Sequence, residues 1–167
     1  MSINNLNELE ILKIAKGIEE AGYNFYKSAQ EKFEDEEIKN MFKYLALEEL
    51  EHMNTFENIY NKVAEKLKND EIEEYRYDEV TTAYLRAISE TAIFNVNGIT
   101  LNKIENICTV KEALYIGLQA EKDSILFYDA ILKNTKIDLT CKVLERLIKE
   151  EVKHLYKFKT LMDEMDR

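Results

Sequence analysis

The chain contains two histidines, and each follows a glutamate by three residues: Glu49 and His52 in LALEELEHMNTF, Glu151 and His154 in LIKEEVKHLYKF. Residues three apart on a helix project from one face, so each pair can offer a carboxylate oxygen and an imidazole nitrogen to one cation. The second stretch lies 102 residues after the first (49 to 151). The same displacement relates Glu19 to Glu121, Phe25 and Tyr26 to Phe127 and Tyr128, and Leu12 to Leu114. Glu19, Glu49, His52, Glu121, Glu151 and His154 are therefore members of an internal repeat. Four carboxylates and two imidazoles form the donor set of a dinuclear metal site. Four negative charges balance two divalent ions, and hard oxygen with imidazole suits iron, with manganese as the alternative. Structural zinc uses four ligands, fewer than are present.

Four long helices would have to position these residues. The chain has no proline, four glycines and 46% hydrophobic residues, which favours long helices with short links over disorder. The expected class is all-α: a four-helix bundle of two repeated hairpins, in one domain spanning residues 1–167. Hairpin 1 is expected over about 7–68, a crossover over about 70–110 and hairpin 2 over about 111–165. Asn7 with Glu10, and Thr109 with Glu112, have the spacing of capping boxes, and Asp35 is placed to cap the second helix. Steps of three and four predict inward stripes. They run Leu12, Ala15, Glu19, Gly22, Tyr26, Ala29, Phe33, then Phe42, Leu45, Glu49, His52, Phe56, Ile59, Val63. In the second half they run Leu114, Gly117, Glu121, Ser124, Tyr128, Ile131, then Leu144, Leu147, Glu151, His154, Phe158, Leu161, Met165. Glu19 and Glu49 each stand roughly 22 Å from a turn near residues 34–35, so an antiparallel hairpin brings them level, and the second hairpin does the same for Glu121 and Glu151. The crossover should carry a short helix with apolar Val80, Tyr84, Ala87, Ile88 and Ala92, then turn at Asn97 and Gly98. Its length is what a bundle with parallel second and third long helices needs.

Every member of the six-residue set falls on an inward stripe. A buried carboxylate without a partner costs several kcal/mol, and no Lys or Arg shares the stripes, so bound metal is the natural compensation. Tyr26 and Tyr128 lie seven residues beyond Glu19 and Glu121. They could donate hydrogen bonds to ligand carboxylates or pass an electron, or they could simply pack. Gly22 and Ser124 could leave room for an oxygen species or allow close helix packing. Glu48 and Glu150 could accept hydrogen bonds from His154 and His52, fixing the imidazoles, or be surface acids.

A net charge of −10 argues against nucleic acid and anionic membranes as partners. No apolar run reaches the roughly 20 residues of a membrane span. The start, MSINNLNELE, lacks the pattern of a secretory signal. Cys108 and Cys141 form no C-x-x-C motif and are expected as free thiols in a reducing compartment, the cytoplasm.

The phrases E-x-x-G-x-x-F-Y (Glu19 to Tyr26) and E-K-D-S-I-L-F-Y (Glu121 to Tyr128), with the two E-E-x-x-H runs, resemble the rubrerythrin-like branch of the ferritin-like superfamily. The resemblance covers all four long helices. It implies a ferritin-like bundle with two iron ions held by Glu19, Glu49, His52, Glu121, Glu151 and His154, and Tyr26 and Tyr128 lining the same cavity. It also implies a homodimer. The chain departs from the resemblance in two places. It has none of the paired C-x-x-C motifs of a rubredoxin-like domain, so electrons are expected from an external donor such as a rubredoxin-type protein. Ser124 stands where rubrerythrin offers a further glutamate, and the remaining six-ligand pattern is similar to the symmetric site of bacterioferritin. The leading expectation is a di-iron oxidoreductase that reduces hydrogen peroxide or dioxygen. The alternatives are a bacterioferritin-type ferroxidase or iron-handling protein, a di-iron hydroxylase, a manganese catalase, and a non-catalytic metal-stabilised module.

Overall fold

The computed structural model describes residues 4–95 and 105–167, which places the expected Asn97-Gly98 turn outside the described residues. Among the described residues the main helices follow in the order α1 (Glu8–Lys32), α2 (Glu36–Lys68), α3 (Glu79–Glu90), α4 (Val110–Leu132) and α5 (Asp138–Met165). Both capping boxes form, at Asn7 with Glu10 and at Thr109 with Glu112. The Asp35 carboxylate accepts from the Ile38 amide at 3.0 Å. Its repeat partner Ile137 has no side chain to do the same, so the second hairpin turns without that cap.

α1 packs along α2 and α4 along α5, as two hairpins. Their mutual orientation follows from pairs between them. Tyr26 bonds to Glu121 and Tyr128 to Glu19, so α1 and α4 run antiparallel. His52 faces Glu150 and His154 faces Glu48, so α2 and α5 do too. A pseudo-twofold axis therefore relates the hairpins, α2 is parallel to α4, and the chain must travel back along the bundle between them. The predicted stripes are buried along α1 as far as Ala29, with Phe33 half-buried just past the helix, along α2 and α4, and along α5 as far as Phe158. Beyond it Leu161 is only half-buried and Met165 is exposed. Contrary to the sequence reading, the last turn of α5 projects past the core.

The crossover is bound at several points. α3 lies on α4 and turns Thr82, Leu85 and Ser89 inward, leaving Val80 79% exposed and Tyr84 outside too. Of its apolar residues Leu85 is fully buried and Ile88 half-buried against the core, and Ala92 just past the helix is buried as well. Leu6 accepts a backbone bond from Tyr77 and donates to Thr82, which straps residues before α1 to the crossover. The buried Glu8 carboxylate accepts from the Tyr77 hydroxyl at 2.6 Å and from Thr135 at 2.9 Å. One acid thus ties together the start of α1, the crossover and the link between α4 and α5.

Aromatic pairs close the core on either side of the carboxylate layer. Tyr26 stacks on Phe158 (centroids 6.0 Å apart), and the repeat-related Tyr128 packs on Phe56 (5.3 Å). Gly117 makes room for the first of these pairs, since a Cβ there would stand 2.6 Å from Cζ of Phe158. Gly117→Ala should therefore destabilise the protein by about 1–2 kcal/mol in denaturant titration, overpacking outweighing the gain in helix propensity. Unchanged or increased stability would show that Phe158 yields freely.

Candidate metal centre

All six expected side chains reach one layer of the bundle, each at least 95% buried. Their donor atoms form two groups whose members lie within 4.8 Å of one another: Glu19, Glu49, His52 and Glu151, then Glu49, Glu121, Glu151 and His154. Glu49 and Glu151 belong to both groups. Each hairpin thus contributes one carboxylate shared by the two positions, together with one carboxylate and one histidine assigned to a single position.

Both histidines turn Nδ1 inward. His52 Nδ1 is 3.0 Å from Glu151, 3.4 Å from Glu19 and 3.9 Å from Glu49. His154 Nδ1 is 3.0 Å from Glu151 and 3.8 Å from Glu121. Among the described residues, neither His52 Nδ1 nor the Glu151 oxygen nearest it makes a hydrogen bond. Two polar atoms buried side by side without hydrogen bonding would be costly in a core. The arrangement suits two ligands that converge on a cation, and the oxygen-rich donor set fits iron or manganese.

The tyrosines reach across the bundle rather than along their own helices. The Tyr26 hydroxyl donates to Glu121 at 2.8 Å, and the Tyr128 hydroxyl donates to Glu19. Each therefore orients the unshared carboxylate of the opposite hairpin. Of the two readings of Gly22, close packing is the one realised. A Cβ there would meet Glu49 at 3.2 Å and the crossover residue Phe94 at 3.3 Å. Phe94 also packs on Phe25 and Tyr26, but nothing in its sequence setting marked it, because the crossover has no repeat partner. Arg146, 3.7 Å from Glu150, also went unsingled, although its i,i+4 spacing to that acid is a legible signal.

Burial dominates the electrostatics. It raises Glu19 and Glu49 well above the usual carboxylate range, the charges of Glu151 and Glu121 adding to the effect and a hydrogen bond with Glu49 partly offsetting it at Glu19. Burial and Glu151 push Glu121 up to about 8. Glu151 moves the other way, because the hydrogen bond with His154 and the charge of the nearby His52 overcome burial and hold it low. Burial also opposes charged histidines, yet the surrounding carboxylates raise both to about 10. Burial and Glu121 raise Tyr26 as well, so its hydroxyl keeps the proton it donates.

Groups raised in the folded state stabilise it below their ordinary values, 4.5 for glutamate and 6.5 for histidine. That stability is lost as pH climbs through about 8 and about 10. Within the layer Glu151 contributes the reverse, present above its ordinary value and lost only in strong acid. The chelator-treated protein should therefore melt at progressively lower temperature between about pH 6 and pH 10. Divalent metal, taking the place of those protons, should flatten the profile. Thermal melts across pH with and without metal check this, and a melting temperature that rises with pH in the metal-free protein would contradict it.

The comparisons with known proteins agree with this geometry. The rubrerythrin family profile matches residues 10–162. A crystal structure from Thermotoga maritima, of a protein provisionally assigned as a ferritin-like diiron-carboxylate protein, superposes with a TM-score of 0.71. The two are 26% identical over 98% of this chain and 99% of that one. No curated protein matches the chain significantly. No described helix is long and apolar enough to cross a membrane. With its repeated hairpins, crossed tyrosines and buried carboxylate–histidine layer, the chain belongs to the rubrerythrin family and has a ferritin-like fold.

Proposed function

We propose that the chain is a di-iron oxidoreductase that reduces hydrogen peroxide, with electrons replenished by an external donor such as a rubredoxin-type protein. The observation that carries this reading is the sharing of Glu49 and Glu151 between two ligand groups, which suits two ions held at bridging distance. Two bound ferrous ions would supply one electron each, and with two protons hydrogen peroxide becomes two waters.

The protein's own part is to hold and shield the site. Glu19 with His52, and Glu121 with His154, would each hold one ion, while Glu49 and Glu151 would serve both positions. Tyr26 and Tyr128 keep the unshared carboxylates in place through their hydroxyls. The Tyr26–Phe158 and Tyr128–Phe56 pairs keep bulk water from the two ends of the layer, which strengthens electrostatic interactions within it.

A second reading, ferrous oxidation by dioxygen in iron handling, draws support from the evenness of the ligand set. Each group contains three carboxylates and one histidine, and the second hairpin has Ser124 where a seventh ligand would stand. Anaerobic loading with ferrous iron, then stopped-flow mixing with peroxide or dioxygen, separates the two. Peroxide is expected to oxidise the iron faster, by about tenfold or more, with repeated turnover when a reductant is present. Faster oxidation by dioxygen, with iron then leaving, would establish the second reading. Binding of fewer than two irons per chain would overturn both.

A further inference from the structure

Glu48 and Glu150 are repeat partners (48 to 150), and each faces the outer nitrogen of the opposite hairpin's histidine. Their exposure is nearly equal, at 27% and 28%, so burial does not distinguish them. Their tethers do. Glu150 lies 3.1 Å from His52 Nε2, within hydrogen-bond distance. Its other oxygen is 3.7 Å from Arg146, which also reaches Thr55 at 3.4 Å and Glu51 at 4.0 Å. On the other side, Glu48 is 3.8 Å from His154 Nε2, too far for a direct hydrogen bond.

The repeat is broken at the residues that would make the difference. The partner of Arg146 is Tyr44 (44 to 146), whose ring stands edge-on to His154 with centroids 6.4 Å apart. The partner of Thr55 is Lys157 (55 to 157), whose ammonium lies 4.4 Å over the Tyr44 ring. The partner of Glu51 is Lys153 (51 to 153). One half therefore has an arginine held among polar and acidic neighbours and tied to the outer carboxylate. The other has a tyrosine whose ring is covered by a lysine and whose uncharged hydroxyl is the partner of Glu48 in place of a guanidinium, leaving that carboxylate short of His154.

We propose that Arg146 and Tyr44 are positioning residues that make the two metal positions unequal: the His52–Glu19 position fills first and retains its ion, and the His154–Glu121 position fills second and releases its ion first. This rests on the dinuclear reading above. An imidazole whose outer N–H is held by an anchored carboxylate is fixed in tautomer and orientation, with its inner nitrogen ready to bind; loss of such a partner costs about 10–100-fold in metal affinity. His52 has that partner, and His154 lacks it until Glu48 moves.

The chain's two histidines make the test direct. Imidazole ¹⁵N NMR of the metal-free full chain, assigned with His52→Asn and His154→Asn, is followed during titration with diamagnetic zinc. The His52 signals should reach their bound positions by one equivalent, and those of His154 should move only with the second, a separation of at least about tenfold in affinity. Parallel movement, or His154 moving first, overturns the inference while leaving the dinuclear reading standing. No movement of either through two equivalents overturns both. Tyr44→Arg combined with Lys157→Thr reproduces at Glu48 two of the residues that surround Glu150, and should bring the two steps within about threefold of each other. A double variant that keeps the wild-type order and spacing would also overturn the inference.

Discussion

Four carboxylates buried in one layer of a helical bundle are the constraint on which the rest of this protein depends. Placing them there strips their hydration and sets like charges against one another, both of which favour protonation. The fold supplies limited compensation from its own atoms: two tyrosine hydroxyls and two imidazoles. Among the described residues no lysine or arginine enters the layer, and the guanidinium of Arg146 stands outside it against Glu150. A core built this way is electrostatically incomplete until cations or protons occupy it. Metal binding and stability are thus two aspects of one equilibrium.

That constraint also explains why neither hairpin completes a site alone. Each tyrosine orients a carboxylate on the other hairpin, and each histidine turns its outer nitrogen toward an acid on the other hairpin. Glu49 and Glu151, one from each, serve both positions. The layer therefore forms only when the hairpins dock in the correct axial register. Residues outside the repeat reinforce that register. Glu8 gathers Tyr77 and Thr135, the Ile93 amide bonds to Asp123 on α4, and Phe94 packs over Gly22 and Tyr26. The crossover is thus part of the wall of the site as well as a connection between hairpins.

The repeat makes the first coordination layer nearly symmetric and leaves the next one free to diverge. Tyr44 and Arg146 occupy equivalent places and do different things, as do Thr55 and Lys157. Equal donors at the centre with unequal supports around them give one protein two metal positions of different character.

Much of this was legible without coordinates. Helical periodicity is a local property, so steps of three and four were enough to place Glu19, Glu49, His52, Glu121, Glu151 and His154 on buried faces. Caps at Asn7, Asp35 and Thr109 depend on neighbours within a single turn, and they too could be read directly. The 102-residue repeat then implied that the halves meet at a common depth. Where residues lacked a repeat partner or a local rule, reading failed. Val80 and Tyr84 of α3 face outward while its fully buried Leu85 had not been singled out, Met165 lies beyond the core, and Phe94 gave no signal at all. Only the tertiary structure decided that Glu49 and Glu151 are the shared carboxylates, that the tyrosines bond across the bundle, and that Glu150 grips its histidine while Glu48 does not. Those outcomes depend on the rotation and stagger of helices far apart in the chain, which leave no trace in spacing.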